Sequence, residues 1–306
     1  MDPTLPGIHH VTAIADDPQR NLDFYTGVLG LRLVKLTVNF DDPGTYHFYF
    51  GDRQGTPGTI MTFFPWPGAQ RGRHGSGQLT VTSFSIPRDS LDSWLVRLRG
   101  RGVDAGPAFR RFDDEVVSFA DPDGLKLELV AHGEAAGGDP SIRGFHSVTL
   151  SEDGYERTAQ LLTGVMGFRH LGSEGNRHRF AAAGKGPASL VDIECVPDAR
   201  PGRVAVGTVH HVAFRAPNNG QQLAWREKVA GFGLNVTPVL DRQYFRSIYF
   251  REPGGVLFEI ATDPPGFAID EPADRLGSTL KLPPQYERSR RQLEEQLPKL
   301  RLPEAA

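Results

Sequence analysis

The sequence predicts an α+β protein made of four βαβββ modules paired into two domains, followed by a helical tail. Three observations predict it. A closing phrase occurs twice, FADPDGLKLELVAH at 119–132 and FREPGGVLFEIATD at 250–263, with Pro122, Gly124 and Glu128 matching Pro253, Gly255 and Glu259. Four opening phrases, IHHVTAIADD, LTVTSFSIPR, FHSVTLSEDG and VHHVAFRAPN, each alternate into a polar or proline-bearing break. After every break comes a stretch whose apolar residues recur three and four apart, the spacing of an amphipathic helix.

Module one, 8–66, opens on IHHVTAIADD and enters a helix at NLDFYTGVLGLR (21–32). Module two, 78–132, opens on LTVTSFSIPR, enters a helix at SLDSWLVRLRGRG (90–102) and closes on the first hairpin phrase. Module three, 144–195, carries its helix at YERTAQLLTGVMGFR (155–169), and module four, 208–262, at QLAWREKVAGFGL (222–234) before the second hairpin phrase. Each helix ends at glycine, as helix C-termini commonly do. Each closing phrase is a strand, a Pro-Gly turn and a second strand. The glycine-rich segment HGEAAGGDPSIRG (132–144) reads as a linker between an N-terminal domain, 1–135, and a C-terminal domain, 144–265. In the tail, 266–306, LPPQYERSRRQLEEQLPKL reads as one amphipathic helix between prolines, with Leu293 and Leu297 four apart, packed across a domain or against a partner chain.

Charge is balanced, 34 Lys+Arg against 37 Asp+Glu, so the chain lacks the basic field that nucleic acid or an anionic membrane requires. The expected partner is a small molecule or another copy of the chain. A single cysteine, Cys195, excludes an intramolecular disulfide framework and a zinc site of several thiolates, and fits a reducing compartment. The start, MDPTLPGIHH, has an acid and two prolines where a signal peptide is basic and then apolar. No stretch approaches 18 consecutive apolar residues. The expected location is the cytoplasm.

The chemistry is expected at the paired histidines, His9-His10 and His210-His211. Neighbours in a strand face opposite ways, so only one ring of each pair can enter a given pocket. By that alternation His10 shares a face with Thr12 and Ile14, His211 with Ala213 and Arg215, and Glu259 with Leu257 and Ala261. A carboxylate set in GGVLFEIA is costly to bury unless it is paired or binds a cation. Two imidazoles and one carboxylate from three strands form a facial triad whose open positions suit non-haem Fe(II) oxygen chemistry. His10, His211 and Glu259 are therefore the candidate ligands. The matching positions of modules two and three hold Thr82 and Ser147, so those modules cannot assemble the same triad. Core histidines are common at strand starts, and Glu128 in the sister hairpin shows that the glutamate alone does not make a metal site.

These phrases resemble the vicinal oxygen chelate superfamily of glyoxalases and extradiol dioxygenases. GIHHVTAIADDPQRNLDFYTGVLGLRLVKLTVNFDDPGTYHFYFGD and LKLPPQYERSRRQLEEQLP are similar, more narrowly, to hydroquinone-type ring-cleaving dioxygenases. The resemblance implies the vicinal oxygen chelate fold and Fe(II), with Mn(II) as the alternative, held by His10, His211 and Glu259. It implies a surrounding set of His9, Thr12, His210, Arg242 and Tyr249 that carries the catalysis. It implies a dihydroxylated aromatic substrate and O2. Two other readings stay open on the sequence: a glyoxalase-like isomerase or thiol transferase, whose sites use four protein ligands where three are found here, and a metal-free binding protein of the antibiotic-sequestering type.

Overall fold

A computed structural model describes residues 4–184 and 188–303. Module one supplies β1 (Ile8–Ala15), helix α1 (Pro18–Asp23), continued by a wider turn over Phe24–Val28, then β2 (Arg32–Val38), β3 (Tyr46–Gly51) and β4 (Ile60–Pro65). Module two supplies β5 (Gln78–Ile86), α2 (Leu91–Gly100), β6 (Phe109–Arg111), β7 (Asp114–Ala120) and β8 (Lys126–Ala131). Module three supplies β9 (Gly144–Glu152), α3 (Glu156–Gly164), β10 (Arg169–Glu174), β11 (Arg177–Ala181) and β12 (Leu190–Cys195). Module four supplies β13 (Thr208–Ala216), α4 (Asn219–Gly231), β14 (Leu240–Asp241), β15 (Arg246–Arg251) and β16 (Leu257–Thr262). Beyond each module's first helix a glycine takes positive φ, Gly30, Gly102, Gly167 and Gly233, the left-handed conformation that ends a helix and favours glycine.

The strands form two eight-stranded sheets, ordered β14-β15-β16-β13-β1-β4-β3-β2 and β10-β11-β12-β9-β5-β8-β7-β6. Module one thus joins module four, and module two joins module three, in place of the sequence-order domains 1–135 and 144–265. The reason lies at the first strands. β1 runs parallel to β4 on one side, and its other edge, in a strand buried along its whole length, needs backbone partners, which antiparallel β13 provides. β5 and β9 meet in the same way. Segment 132–143 is consequently a loop within the second sheet rather than a linker between domains. The two connections that do cross between sheets run side by side, bridged at Arg71–Val206, Arg73–Arg203 and Ser76–Pro201.

The tail is not one long helix. Residues Pro284–Ser289 form a tighter helical turn, and α5 covers only Arg290–Gln296, because Pro283, Pro284 and Pro298 cannot supply the backbone donors of a helix interior. Leu293 and Leu297 enter the main core, while Tyr46 and Tyr286 donate hydroxyl bonds to the Pro298 and Phe40 carbonyls at 2.9 Å each. The tail therefore packs on module one.

Candidate metal centre

The first sheet brings three distant side chains together by register. Tyr249 on β15 lies opposite Glu259 on β16, Glu259 opposite Ala213 on β13, and Ala213 opposite His10 on β1. His211, two residues before Ala213, shares its face. The small Ala213 side chain between two larger donors leaves them room to converge. His10 Nε2 is 3.3 Å from His211 Nε2 and 3.4 Å from Glu259 Oε2, and His211 Nε2 is 2.9 Å from the same oxygen. All three side chains are buried. Donors about 2.0–2.2 Å from a shared cation stand roughly 3 Å apart, so the spacing fits one ion.

The hydrogen bonding points the same way. Glu259 Oε1 accepts from Ser247 Oγ at 2.5 Å, whereas buried Oε2 has no hydrogen-bond partner among the described residues despite its two imidazole neighbours. Such an orphan is rare unless an ion completes it. Burial acts to raise the Glu259 pKa, but His10 and then His211 outweigh it and hold the group well below the usual carboxylate range. Burial lowers His211 in spite of Glu259. An ionised carboxylate beside a neutral imidazole is the protonation state a divalent cation needs.

Behind each candidate ligand stands its neighbour. His9 Nδ1 lies 2.9 Å from His10 Nδ1, and His210 Nδ1 lies 2.7 Å from His211 Nδ1. With their Nε2 lone pairs turned to the centre, His10 and His211 carry hydrogen on Nδ1 and donate it to His9 and His210, an arrangement that fixes tautomer and ring orientation. His210 is held down to about 3 by burial and then by His211, so it is a neutral acceptor. Strict alternation would separate the rings of a pair, but a register irregularity between Ile8 and His10 relaxes it on β1.

The centre opens into a cavity of about 330 Å³ lined by His210, Arg242 and Tyr249 among others, with Phe64, Trp66 and Phe245 as aromatic walls. Arg242 makes two bonds to Asp41, at 3.0 and 3.1 Å, with its guanidinium 5.6 Å from the Tyr249 ring centre. Burial, then Glu259, pushes the Tyr249 phenol up, so it stays protonated. His9 and Thr12 do not line the cavity. They stand behind it.

Among the lining residues that the sequence did not single out are His47 and Tyr49. Thr62 Oγ1 donates to Thr12 Oγ1 at 2.8 Å, so its hydrogen is spent and His47 Nε2, 2.9 Å away, must donate to it. His47 Nδ1 is then the acceptor of the Tyr49 hydroxyl at 2.9 Å. Burial, then His10, keeps His47 neutral. The available signal was TYHFYF, a strand whose aromatic alternation places His47 and Tyr49 on one face.

The second sheet shows the same positions without the centre. Glu128, the counterpart of Glu259, is gripped by Arg111 at 2.6 and 2.7 Å, and Arg111 precedes Arg242 by the same interval. Where the first sheet aligns Thr12, Thr62 and Tyr49, the second aligns Thr149, Asp192 and Arg179. Guanidinium groups pair with the buried carboxylates there.

The family model described as the Glyoxalase/Bleomycin resistance protein/Dioxygenase superfamily matches residues 7–129 and 144–260. MhqO of Bacillus subtilis, named as a candidate ring-cleaving dioxygenase, is 49% identical over 300 residues, covering 95% of each chain. The chlorohydroquinone/hydroquinone 1,2-dioxygenase of Sphingobium indicum is 35% identical over 301 residues, covering 92% of this chain and 93% of that one. A crystal structure of a candidate dioxygenase from Bacillus subtilis superposes with a TM-score of 0.94 at 47% identity, covering 98% of this chain and 99% of the other.

Proposed function

The chain belongs to the Glyoxalase/Bleomycin resistance protein/Dioxygenase superfamily, and within it we propose a ring-cleaving dioxygenase that takes a hydroquinone- or catechol-type aromatic together with O2, using Fe(II) ahead of Mn(II). The observation that carries the reading is the meeting of His10, His211 and Glu259 at a cavity walled by aromatic rings. Three protein ligands leave positions open, whereas zinc and nickel isomerase sites of this fold use four. A relative named as a chlorohydroquinone/hydroquinone 1,2-dioxygenase supports the same choice. When bound, the ion would supply adjacent open positions for a ring hydroxyl and O2 and a route for electron density between them.

The chain's own residues do the rest. His10, His211 and Glu259 hold the ion, while His9 and His210 orient the two imidazoles. The cavity, at the lower end of small-molecule pockets, sandwiches a single ring between Phe64, Trp66 and Phe245. Tyr49, its hydrogen committed to His47, turns oxygen lone pairs toward the cavity and accepts from a ring hydroxyl. Opposite, Tyr249 keeps its proton and Arg242 its charge, and both donate to oxygen that gains negative charge as the ring opens to an acid.

The test is oxygen uptake by anaerobically purified, Fe(II)-loaded protein with a panel of hydroquinones and catechols, beside metal analysis of His10→Ala and Glu259→Gln. One O2 consumed per ring opened, with no iron retained in either variant, is the expected result. Turnover of a thiol adduct of methylglyoxal without O2 uptake would move the protein to the isomerase reading.

A further inference from the structure

The second sheet assembles a different group of donors, beside the positions of Thr82 and Ser147 rather than at them. Asp114 on β7, His132 just beyond β8 and His146 on β9 each bring one donor atom to within 4.8 Å of the others. His132 Nδ1 is 3.1 Å from Asp114 Oδ1, and His146 Nε2 is 3.4 Å from Asp114 Oδ2. All three line a cavity of about 490 Å³ that shares no residue with the cavity of the first sheet.

His146 supplies the second observation. Its side chain is 1% exposed, yet Nε2 has no hydrogen-bond partner among the described residues. Nδ1 lies 3.1 Å from Ser147 Oγ, so with its hydrogen donated there the ring aims the Nε2 lone pair at the other two donors. A buried imidazole nitrogen left facing a carboxylate and a second imidazole wants a cation.

Arg179 does not fill that role. It bonds Asp114 Oδ2 at 2.8 Å but spends two further donors on Asp192, and Arg177 divides itself between Asp192 and Glu194. Three carboxylates against two guanidiniums leave one negative charge in the group. A carboxylate contacted once by a guanidinium also keeps lone pairs free.

We propose that Asp114, His132 and His146 form a second divalent-metal site of the zinc, nickel and cobalt class, which tethers module two to module three. Donors around a tetrahedral ion at about 2.0–2.1 Å stand roughly 3.3 Å apart, close to the distance from each imidazole to the Asp114 carboxylate. Two imidazoles and one carboxylate are a ligand set that this borderline class accepts and that calcium or magnesium does not favour.

The experiment is equilibrium dialysis of the full chain against Zn²⁺ alone, with metal analysis of wild type, His132→Ala and His146→Gln. The His132 side chain is half exposed, so its removal leaves the fold in place, and that variant decides the matter if His146→Gln does not fold. Each variant is expected to bind one zinc fewer than wild type. The exposed pair His170 and His178 can hold stray zinc, so the difference between variants is what counts. Zinc is also expected to raise the melting temperature of Glu259→Gln and to lose that effect once His132→Ala is added, which separates this site from the centre on the first sheet. Equal zinc content in wild type and His132→Ala, with an undiminished melting shift in the double variant, overturns the proposal.

Discussion

Ala213 decides whether three donors can share a point. It sits between Glu259 and His10 in the row across β16, β13 and β1, fully buried. Ala213→Leu would thrust a branched side chain into the place where the donors converge. Overpacking of that kind costs about 1–3 kcal/mol, so the variant should fold with a modestly lowered melting temperature. Its bound metal should vanish, and metal analysis of folded protein checks this. The two sister glutamates make a sharper contrast. Glu128→Gln leaves the half-buried Arg111 without its carboxylate and should lower the denaturant midpoint, by about 1–3 kcal/mol, while leaving the metal content of the first sheet unchanged. Glu259→Gln should do the reverse, with metal lost and the apo fold little affected. Locally the sequence treats these residues alike, since each follows a Pro-Gly turn and each has an arginine at the same interval upstream. The paired histidines separated them, because only modules one and four carry a second histidine at the strand start. His47 and Tyr49 stayed hidden because their role depends on a hydrogen-bond chain from Tyr49 through His47 and Thr62 to Thr12, set by register between strands that no local pattern reveals.

Among the elements, the tail is the one whose place the sequence could least supply. Several of its contacts lie in module one, 235 to 282 residues upstream, where the sign was a lysine in an apolar strand. Lys35 on β2 is fully buried and ion-pairs with Asp270, at 2.6 Å, and with Glu271. Asp270 also accepts from the Tyr244 hydroxyl at 2.9 Å, two residues from Arg242. Removing the lysine leaves the buried Glu271 and the half-buried Asp270 without their cation. Lys35→Ala should therefore lose about 3–5 kcal/mol, read as a shift in denaturant midpoint. A milder probe acts on the cavity mouth. Tyr286 holds the Phe40 carbonyl, beside Asp41, which in turn anchors Arg242. Tyr286→Phe gives up one hydrogen bond, about 1 kcal/mol. It should raise KM for the ring substrate more than it lowers kcat, because the loop that steadies Arg242 loosens while the ligands of the ion stay in place. A fall in kcat at unchanged KM would separate the tail from substrate binding.

At the scale of the molecule, the repeat was legible and the ligand set already joined modules one and four, but the domain bounds followed sequence order, because every module offers the same first-strand edge. What joins the two sheets includes a feature that only the fold creates. Glu152 at the end of β9 and Glu252 in the turn before β16 both lie against Thr158 Oγ1, at 2.7 and 2.6 Å. Gly254 permits the approach, since a Cβ there would meet the Glu152 carboxyl at 2.3 Å. Thr158 has one hydrogen and cannot donate to two carboxylates, so one acid must be protonated and donate in its turn. Burial, followed by the charge of Glu252, accordingly raises Glu152 to about 8. A folded pKa above the unfolded value of 4.5 means that the stabilisation is complete at acid pH and is lost as pH rises through about 8. Wild type should therefore melt at progressively lower temperature between pH 6 and about 9. Glu152→Gln, whose amide never ionises and can still donate to its neighbour, should flatten that decline, with roughly 2–4 °C recovered at alkaline pH for each kcal/mol of relieved repulsion. Parallel melting curves for the two proteins across this range would mean that no proton is shared between the sheets.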